Sequence, residues 1–225
     1  MAMAKKTEEI ILKEMEIVRT TIRIEGDSPL IMHKWEEKTK RQLLDSMMQK
    51  DKAGKGKAQR EVRKPVEDFI NSMYWMEGEP AEGEKNEAGF ERAVANGARW
   101  GFPATSVKQA IVTAAYRQGY TKDMASLRGA FFIEGEGPEM LVEVKGCTPT
   151  MREDMVRVGM GKPDIRFRGQ FTGWYMDLTI RYNLNGIYAL DRIVNLINLG
   201  GFACGIGEWR PEKDGQYGMF HVAQA

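Results

Sequence analysis

The chain has 225 residues, which is enough for one domain with a substantial core and sizeable insertions. Charged residues make up 29 % of the chain, but the formal net charge is only +1, so the overall charge does not favour binding to nucleic acid or to a membrane. The two cysteines, Cys147 and Cys204, and the two histidines, His33 and His221, are widely separated, which argues against a structural zinc site, and no cofactor is expected.

No secretory signal and no membrane span are recognisable in the sequence. The chain does not begin with a charged segment followed by an apolar one, and no run approaches the roughly 20 apolar residues that cross a bilayer. We therefore expect a cytoplasmic protein with reduced thiols. Its residues 1–225 are expected to form a single decorated domain.

The first predicted element is a strand over residues 15–25, where β-branched residues cluster. Alternate residues from Glu16 to Ile24 are mostly apolar or β-branched, which predicts one buried face. The segment Gly26-Asp27-Ser28-Pro29 ends the strand, and Leu30-Ile31-Met32-His33 leads toward a helix predicted for residues 34–49.

A helical and charged insertion is predicted for residues 34–98. Basic residues outnumber acidic ones between residues 50 and 64, and two glycines loosen that backbone, which predicts either a solvated loop or a phosphate-binding one. Pro65 then suits the first position of a helix, and the acidic segment 77–87 is interpreted as a solvated loop. The candidate phosphate contacts of the basic loop are Lys52, Lys55, Lys57, Arg60 and Arg63.

The middle of the chain predicts a core helix and a strand pair. Residues 101–106 resemble a helix entry, with Thr105 or Ser106 as the capping residue, and apolar residues follow at helical spacing up to Ala115. Two apolar runs, residues 129–133 and 140–144, flank a turn, which predicts that they pair as a hairpin.

Residues 147–170 are predicted to form a basic protruding loop, because charge alternates there with glycine and proline. Together with Phe167 the basic side chains offer charge and aromatic surface, which suits a single strand better than a duplex. An exposed solvated loop explains the same composition. The candidate nucleic-acid contacts are Arg152, Arg157, Lys162, Arg166 and Arg168.

The C-terminal part predicts a strand at 171–183, a helix at about 189–199 and a closing strand at 217–222. Trp174 and Tyr182 share one face of the strand, and aromatic residues on a strand are more often core than stacking platforms. Tyr175 and Arg181 lie on the other face and are therefore the better candidates for ligand contact.

A glycine-rich loop is predicted between this helix and the closing strand. Its residues Gly200, Gly201, Gly205 and Gly207 allow main-chain amides to approach a phosphate or a neighbouring subunit, and Arg210 at the exit is a further candidate contact. Neither nucleotide-binding fingerprint fits, because no Lys-Ser/Thr pair follows and a helix precedes the glycines. A tight connection without a ligand is the alternative interpretation.

Without the insertion, the predicted order of elements is βαββαβ. This order predicts an α+β protein with a ferredoxin-like (RRM-like) antiparallel sheet, two helices on one face and a large helical and basic insertion. The opposite face of the sheet is then open for binding.

Three features resemble the RAMP superfamily of CRISPR proteins, especially the backbone subunits that line a guide RNA. They are the segment 28–33 directly after the first strand, the inserted basic region, and the terminal loop and strand from Gly200-Gly201 to Gly218. The resemblance implies a homo-oligomer or filament along single-stranded nucleic acid, either RNA or single-stranded DNA. A basic groove would hold the backbone and a projecting loop would splay the bases. The segment 28–33, followed by Trp35 and a charged predicted helix, also resembles a segment of phage proteins.

Two other functions stay open. Some RAMP relatives are metal-independent endoribonucleases, and His33 follows the first strand where a general base could act, with Lys34 or Tyr116 assisting. A lone histidine beside Trp35 is, however, more often a packed residue. The third function is pure self-assembly through residues 200–209, for which fifteen methionines and five tryptophans supply adaptable apolar surface.

Overall fold

The computed structural model describes residues 14–34, 44, 47, 48, 63–158 and 162–224. These residues form a mixed α+β fold with antiparallel sheets. The strands are β1 (Ile17–Gly26), β2 (Leu30–Met32), β3 (Tyr74–Glu77), β4 (Arg99–Pro103), β5 (Phe131–Glu134), β6 (Leu141–Val144), β7 (Thr150–Val158), β8 (Lys162–Phe171), β9 (Tyr175–Asn183) and β10 (Phe220–Val222). The helices are α1 (Pro65–Asn71), α2 (Glu87–Ala95), α3 (Ala104–Arg117), α4 (Met124–Ala130) and α5 (Leu190–Ala203).

The main sheet has the strand order β10-β1-β9-β5, and every neighbouring pair is antiparallel. Its buried face follows the predicted alternation, which places Ile22 and Ile24 of β1 in the core with alternate residues of β9. Trp174 and Tyr182 are also buried, so the prediction that they belong to the core is confirmed.

Helix α3 packs against α5 over the buried face of the main sheet. Its buried positions include Val107, Ile111 and Ala115, which confirms the predicted core helix. The predicted cap is wrong, because Pro103 occupies the N-cap position and no side chain caps the helix. The chain enters α3 directly from β4, and the amide of Ala104 instead donates to the carbonyl oxygen of Met140 at 2.9 Å.

Two three-stranded sheets complete the fold, with the orders β2-β8-β7 and β3-β4-β6. The predicted pairing of β5 with β6 is wrong, because β5 pairs with β9 and β6 pairs with β4. An isolated bridge between Glu136 and Leu141 is the contact at the turn that separates them. The two strands bury their apolar side chains in different sheets, so the turn carries the chain from one sheet to the next.

Part of the predicted insertion belongs to the same hydrophobic core as the main sheet. Helix α1 begins at Pro65 as predicted and ends at Asn71. The rings of Phe69 and Phe90 meet edge to face at 5.0 Å, and Trp100 meets Phe171 of β8 at 6.2 Å. The helix predicted for residues 34–49 and the basic loop up to Glu61 lie almost entirely outside the described residues.

The segment predicted as a basic protruding loop is instead a β-hairpin of β7 and β8. Register pairs run continuously from Thr150↔Gln170 to Val158↔Lys162. Asp154 stands across from Arg166, and Arg152 stands across from Arg168, where both of these arginines bond to Asp154. The charged residues that predicted a loop therefore belong to two paired strands.

Gly200 and Gly201 lie inside α5, so the prediction that they belong to a loop is wrong. A Cβ at Gly200 would lie 2.9 Å from the Cα of Ile111 in α3, and one at Gly201 would overlap the carbonyl oxygen of Phe220 in β10. These two glycines allow close packing of α5 against its neighbours. Among the described residues, no helix is long and apolar enough to cross a bilayer.

Candidate nucleic-acid interface

The face of the main sheet opposite the helices, here called the open face, carries rows of polar and aromatic side chains across the strands. Arg19, Arg181 and Phe132 form one such row, because each residue is the register partner of the next. Arg19 pairs with Glu134 at 2.9 Å and Arg23 pairs with Asp177 at 2.9 Å. The face therefore holds arginines in defined positions on a rigid sheet.

Two arginines of the open face lie over aromatic rings. The guanidinium of Arg23 is 4.3 Å from the ring centroid of Tyr175, and that of Arg181 is 5.3 Å from the centroid of Phe132. Lys108 of α3 reaches the same Phe132 ring at 4.0 Å. A cation over a ring is attracted by the electrons of its face, so these contacts orient both partners.

Tyr175 and Arg181 were predicted on this face, whereas Phe132 and the contact of its ring with Lys108 of α3 were missed. The alternation of β5 does reveal Phe132, because Phe131 and Ile133 on either side of it are buried while Phe132 is 45 % exposed. Arg181 makes no ion pair with any described residue, which leaves its charge available to a ligand.

The predicted contacts of the β7–β8 hairpin fall into different environments. Arg157 is exposed and has no ion-pair partner among the described residues, whereas Arg166 pairs with Asp164 at 3.0 Å. Arg63 also bonds to Asp164, at 2.6 Å, and donates to the carbonyl oxygen of Ile165. Arg63 and Arg166 therefore meet at Asp164, whereas Arg157, whose register partner is Pro163, lies on the other face of the hairpin.

Arg168 and Arg152 do not share that exposure. The Arg168 side chain is only 6 % exposed and bonds to buried Asp154 at 3.2 Å, so it cannot reach a phosphate. Arg152 bonds to the same Asp154 at 2.8 Å and to the hydroxyl of Tyr217 at 3.2 Å. Only the backbone of Lys162 is described, and Lys52, Lys55, Lys57 and Arg60 lie outside the described residues.

The terminal loop from Gly205 to Gly218 is strongly shaped by left-handed backbone. Gly205, Gly207 and Gly218 have φ of 66°, 77° and 64°, and the two non-glycine residues with such angles are Trp209 at 53° and Asp214 at 60°. Glycine adopts these angles without steric cost. In a non-glycine residue they cost energy that the surrounding contacts must offset.

The main-chain amides of the loop hydrogen-bond to another segment of the same chain. The amide of Glu208 donates to the carbonyl oxygen of Ile31 at 3.0 Å, and the amide of Gly218 donates to that of Pro29 at 2.9 Å. A Cβ at Gly207 would press on Ile31. These contacts join the terminal loop to residues 28–33, two segments that the sequence marked separately.

A pocket of about 170 Å³ opens where these two segments meet the first turns of α3. Nδ1 of His33 lies 3.5 Å from Oε1 of Glu208 and 3.5 Å from Nη2 of Arg168. Arg210 also lines the pocket, but it is held by Glu212 at 2.8 Å and by the carbonyl oxygen of Gly207 at 2.9 Å. The predicted role of Arg210 as a direct contact therefore competes with two strong intramolecular bonds.

Two groups that line the pocket, Glu208 and Cys204, have pKa values that differ from their ordinary ones. Hydrogen bonding with His33 lowers the pKa of Glu208 below its ordinary value, and Arg168 and Arg210 act in the same direction while burial opposes them. Burial and the nearby Glu212 raise the pKa of Cys204 to about 11, so its thiol is unreactive at neutral pH. Within the described ranges, no group of three or more His, Cys, Asp or Glu could hold a metal ion.

No known family model matches this chain, and no characterised protein matches it either. Its function is therefore argued from the geometry of the open face, the hairpin and the pocket.

Proposed function

We propose that the protein binds single-stranded nucleic acid, RNA or single-stranded DNA, with little dependence on sequence. The observation that carries the proposal is the pair of arginine–aromatic contacts on the open face, Arg23 with Tyr175 and Arg181 with Phe132. Aromatic rings accept stacked bases of any sequence, and arginines beside them meet the phosphates.

The topology supports this use of the sheet. The main sheet takes its four strands from the chain in the order β1, β5, β9 and β10. In space the fourth of these strands lies beside the first, followed by the third and the second. We interpret this as a ferredoxin-like fold with α3 and α5 as its two helices. Proteins of the RRM type stack two or three bases on the equivalent open face.

The two arginine–aromatic contacts are far enough apart to meet different nucleotides of an extended single-stranded nucleic acid. Tyr175 and Arg181 are both on β9, six residues apart, which corresponds to about 20 Å along a strand. Several nucleotides span such a distance. The exposed Arg157 and the predicted basic loop, with Lys52, Lys55, Lys57 and Arg60, would extend the path of the phosphates beyond the sheet.

Assembly of repeated subunits along the strand is the second part of the proposal. It is supported by apolar side chains exposed on the outer face of the hairpin, where Met155 of β7 is 80 % exposed and faces Ile165 of β8. Exposed apolar surface of this kind is typical of contacts between proteins. The resemblance to RAMP backbone subunits predicts the same arrangement.

The test compares binding of labelled single strands and duplexes to the protein and to a variant carrying Tyr175→Ala and Phe132→Ala. We expect the wild type to prefer single strands and the variant to lose at least about tenfold in affinity, because each stacked base contributes on the order of 1–3 kcal/mol. The control carries Tyr120→Ala and Phe202→Ala, which removes two exposed aromatic residues away from the open face. Equal affinity of the two variants would contradict the proposal.

Metal-independent RNA cleavage is a second candidate, favoured by one observation. His33 lies 3.5 Å from Glu208 at a pocket, a placement in which an imidazole can exchange protons with a substrate. Cleavage of labelled RNA by the wild type in the presence of a chelator, and its loss in His33→Ala with strand binding unchanged, would support this function. Absence of cleavage products would remove it.

A further inference from the structure

We propose that the pocket between residues 28–33, the terminal loop and α3 holds one unstacked base of the bound strand and prefers guanine. The inference rests on the proposed single-strand binding and adds a base-specific subsite to it. Its geometry depends on residues that play no part in the open face.

The size and walls of the pocket suit a single flat ring system. Its volume of about 170 Å³ is well below the roughly 300–1,000 Å³ of pockets that bind drug-sized molecules. The rings of Tyr74 and Phe102 line it and meet each other edge to face at 6.3 Å. The half-buried Tyr74 offers ring surface on which a base can stack, whereas Phe102 is only 5 % exposed and packs against the Tyr74 ring.

Glu208 supplies the group that reads the base. Its Oε1 lies 3.5 Å from His33 and its Oε2 lies 3.8 Å from Arg168, and both distances exceed the roughly 2.7–2.9 Å of a strong charge-assisted hydrogen bond. The carboxylate is 39 % exposed, so its oxygens can still accept two hydrogen bonds from a ligand. The hydrogen bond from the amide of Glu208 to the carbonyl oxygen of Ile31 fixes the backbone position of Glu208.

Guanine is the base whose hydrogen-bond donors complement such a carboxylate. Its Watson–Crick edge carries two neighbouring donors, N1–H and the 2-amino group, whereas the other common bases present only one ring N–H or one amino group on that edge. A carboxylate accepts the two parallel bonds as it accepts those of an arginine.

Two further polar groups can meet the remaining edge of the base. Ser106 and Gln109, on the first turns of α3, line the pocket, and neither side chain makes a hydrogen bond to any described residue. A phosphate is a poor occupant, because Glu208 and Glu212 both line the pocket and Arg210, which also lines it, is already held by Glu212.

The experiment measures the affinity of single strands of about 12 nucleotides, a length within the site size of single-strand binding folds. Strands that contain guanine are compared with strands in which inosine or adenine replaces it. We expect inosine, which lacks the 2-amino group, to weaken binding about tenfold per occupied pocket, and adenine to weaken it further.

The variants separate this subsite from the open face. Glu208→Gln, which keeps the shape of the side chain, should remove the preference for guanine over inosine while adenine strands bind as before. Gln109→Ala should reduce the preference in part. The matched control is Glu91→Gln. Glu91 is exposed on α2, and this substitution removes the same charge away from the pocket.

The outcomes distinguish the two proposals. Tight binding of all strands with no preference for guanine, or a preference that Glu208→Gln leaves intact, overturns the base pocket and leaves single-strand binding standing. Absence of binding to any strand overturns both.

Discussion

Two regions of the molecule differ in how deeply they bury their arginine side chains. On the open face, Arg23 and Arg181 lie over rings that face away from the core. In the second region, which we call the packed end, the terminal loop, residues 28–33 and the base of the β7–β8 hairpin surround the buried Arg168 and Asp154. The number of basic residues in a segment therefore does not decide whether it can bind an anion; burial and existing partners do.

Replacing Arg168 with alanine gives the largest expected effect. The change removes one partner of a buried ion pair and should lower the free energy of unfolding by about 3 kcal/mol. Denaturant unfolding measures it. Arg166→Ala, which breaks the more exposed pair with Asp164, is the control and should cost less than about 1 kcal/mol. Similar losses in the two variants would erase the distinction between the packed end and the surface.

Gly201→Ala tests the close packing of α5 against β10. The added methyl group overlaps the carbonyl oxygen of Phe220, so the variant should lose about 2 kcal/mol of stability. Gly129→Ala in α4 is the matched control, because nothing lies within 4 Å of its position and alanine favours a helix by up to about 1 kcal/mol. A stabilised Gly201→Ala variant would show that α5 does not press against β10.

Arg181→Ala tests the open face by charge alone. Since Arg181 has no ion-pair partner among the described residues, its loss should leave stability nearly unchanged. It should weaken single-strand binding about fivefold at low salt and reduce the slope of log affinity against log salt by about 1. Arg192→Ala on α5, on the far side of the sheet, serves as the control, and an identical salt slope in both variants would exclude Arg181 from the contact.

The smallest expected effect is the acid dependence of the packed end. Folding lowers the pKa of Glu208 below its ordinary value of 4.5, so the ionised carboxylate stabilises the fold above pH 4.5, and this stability is lost as pH falls through the folded pKa. The unfolding midpoint of Glu208→Gln should therefore fall less than that of the wild type between pH 5 and 3. Parallel curves would contradict the shift.

The same two regions show what the sequence could predict. The alternation in β1 and β9 identified both faces of the main sheet, because apolar residues at every second position have one physical explanation. The hairpin was missed because its strands carry charges on both faces. The last turn of α5 was missed because glycine normally weakens a helix, and only the contacts of Gly200 and Gly201 with Ile111 and Phe220 explain why α5 continues through them.

The pocket was beyond sequence reasoning for a different reason. His33 and Glu208 are far apart in the chain, and no local pattern states that the terminal loop bonds to Ile31 and Pro29. The signal that could have linked them is the glycine spacing. Glycines at 205, 207 and 218 permit left-handed backbone, which is typical of a loop that packs closely against another segment.

The position of β1 between β9 and β10 has a consequence for how the protein is made. As the chain leaves the ribosome, β1 emerges long before either neighbour exists, and both of its hydrogen-bonding edges must wait for the C-terminal strands. Pairing across such a long stretch of sequence is slow, and an unpaired strand with Ile22 and Ile24 on one face can meet the same strand of another nascent chain. Productive folding of this protein therefore depends on keeping β1 isolated until synthesis reaches its partners.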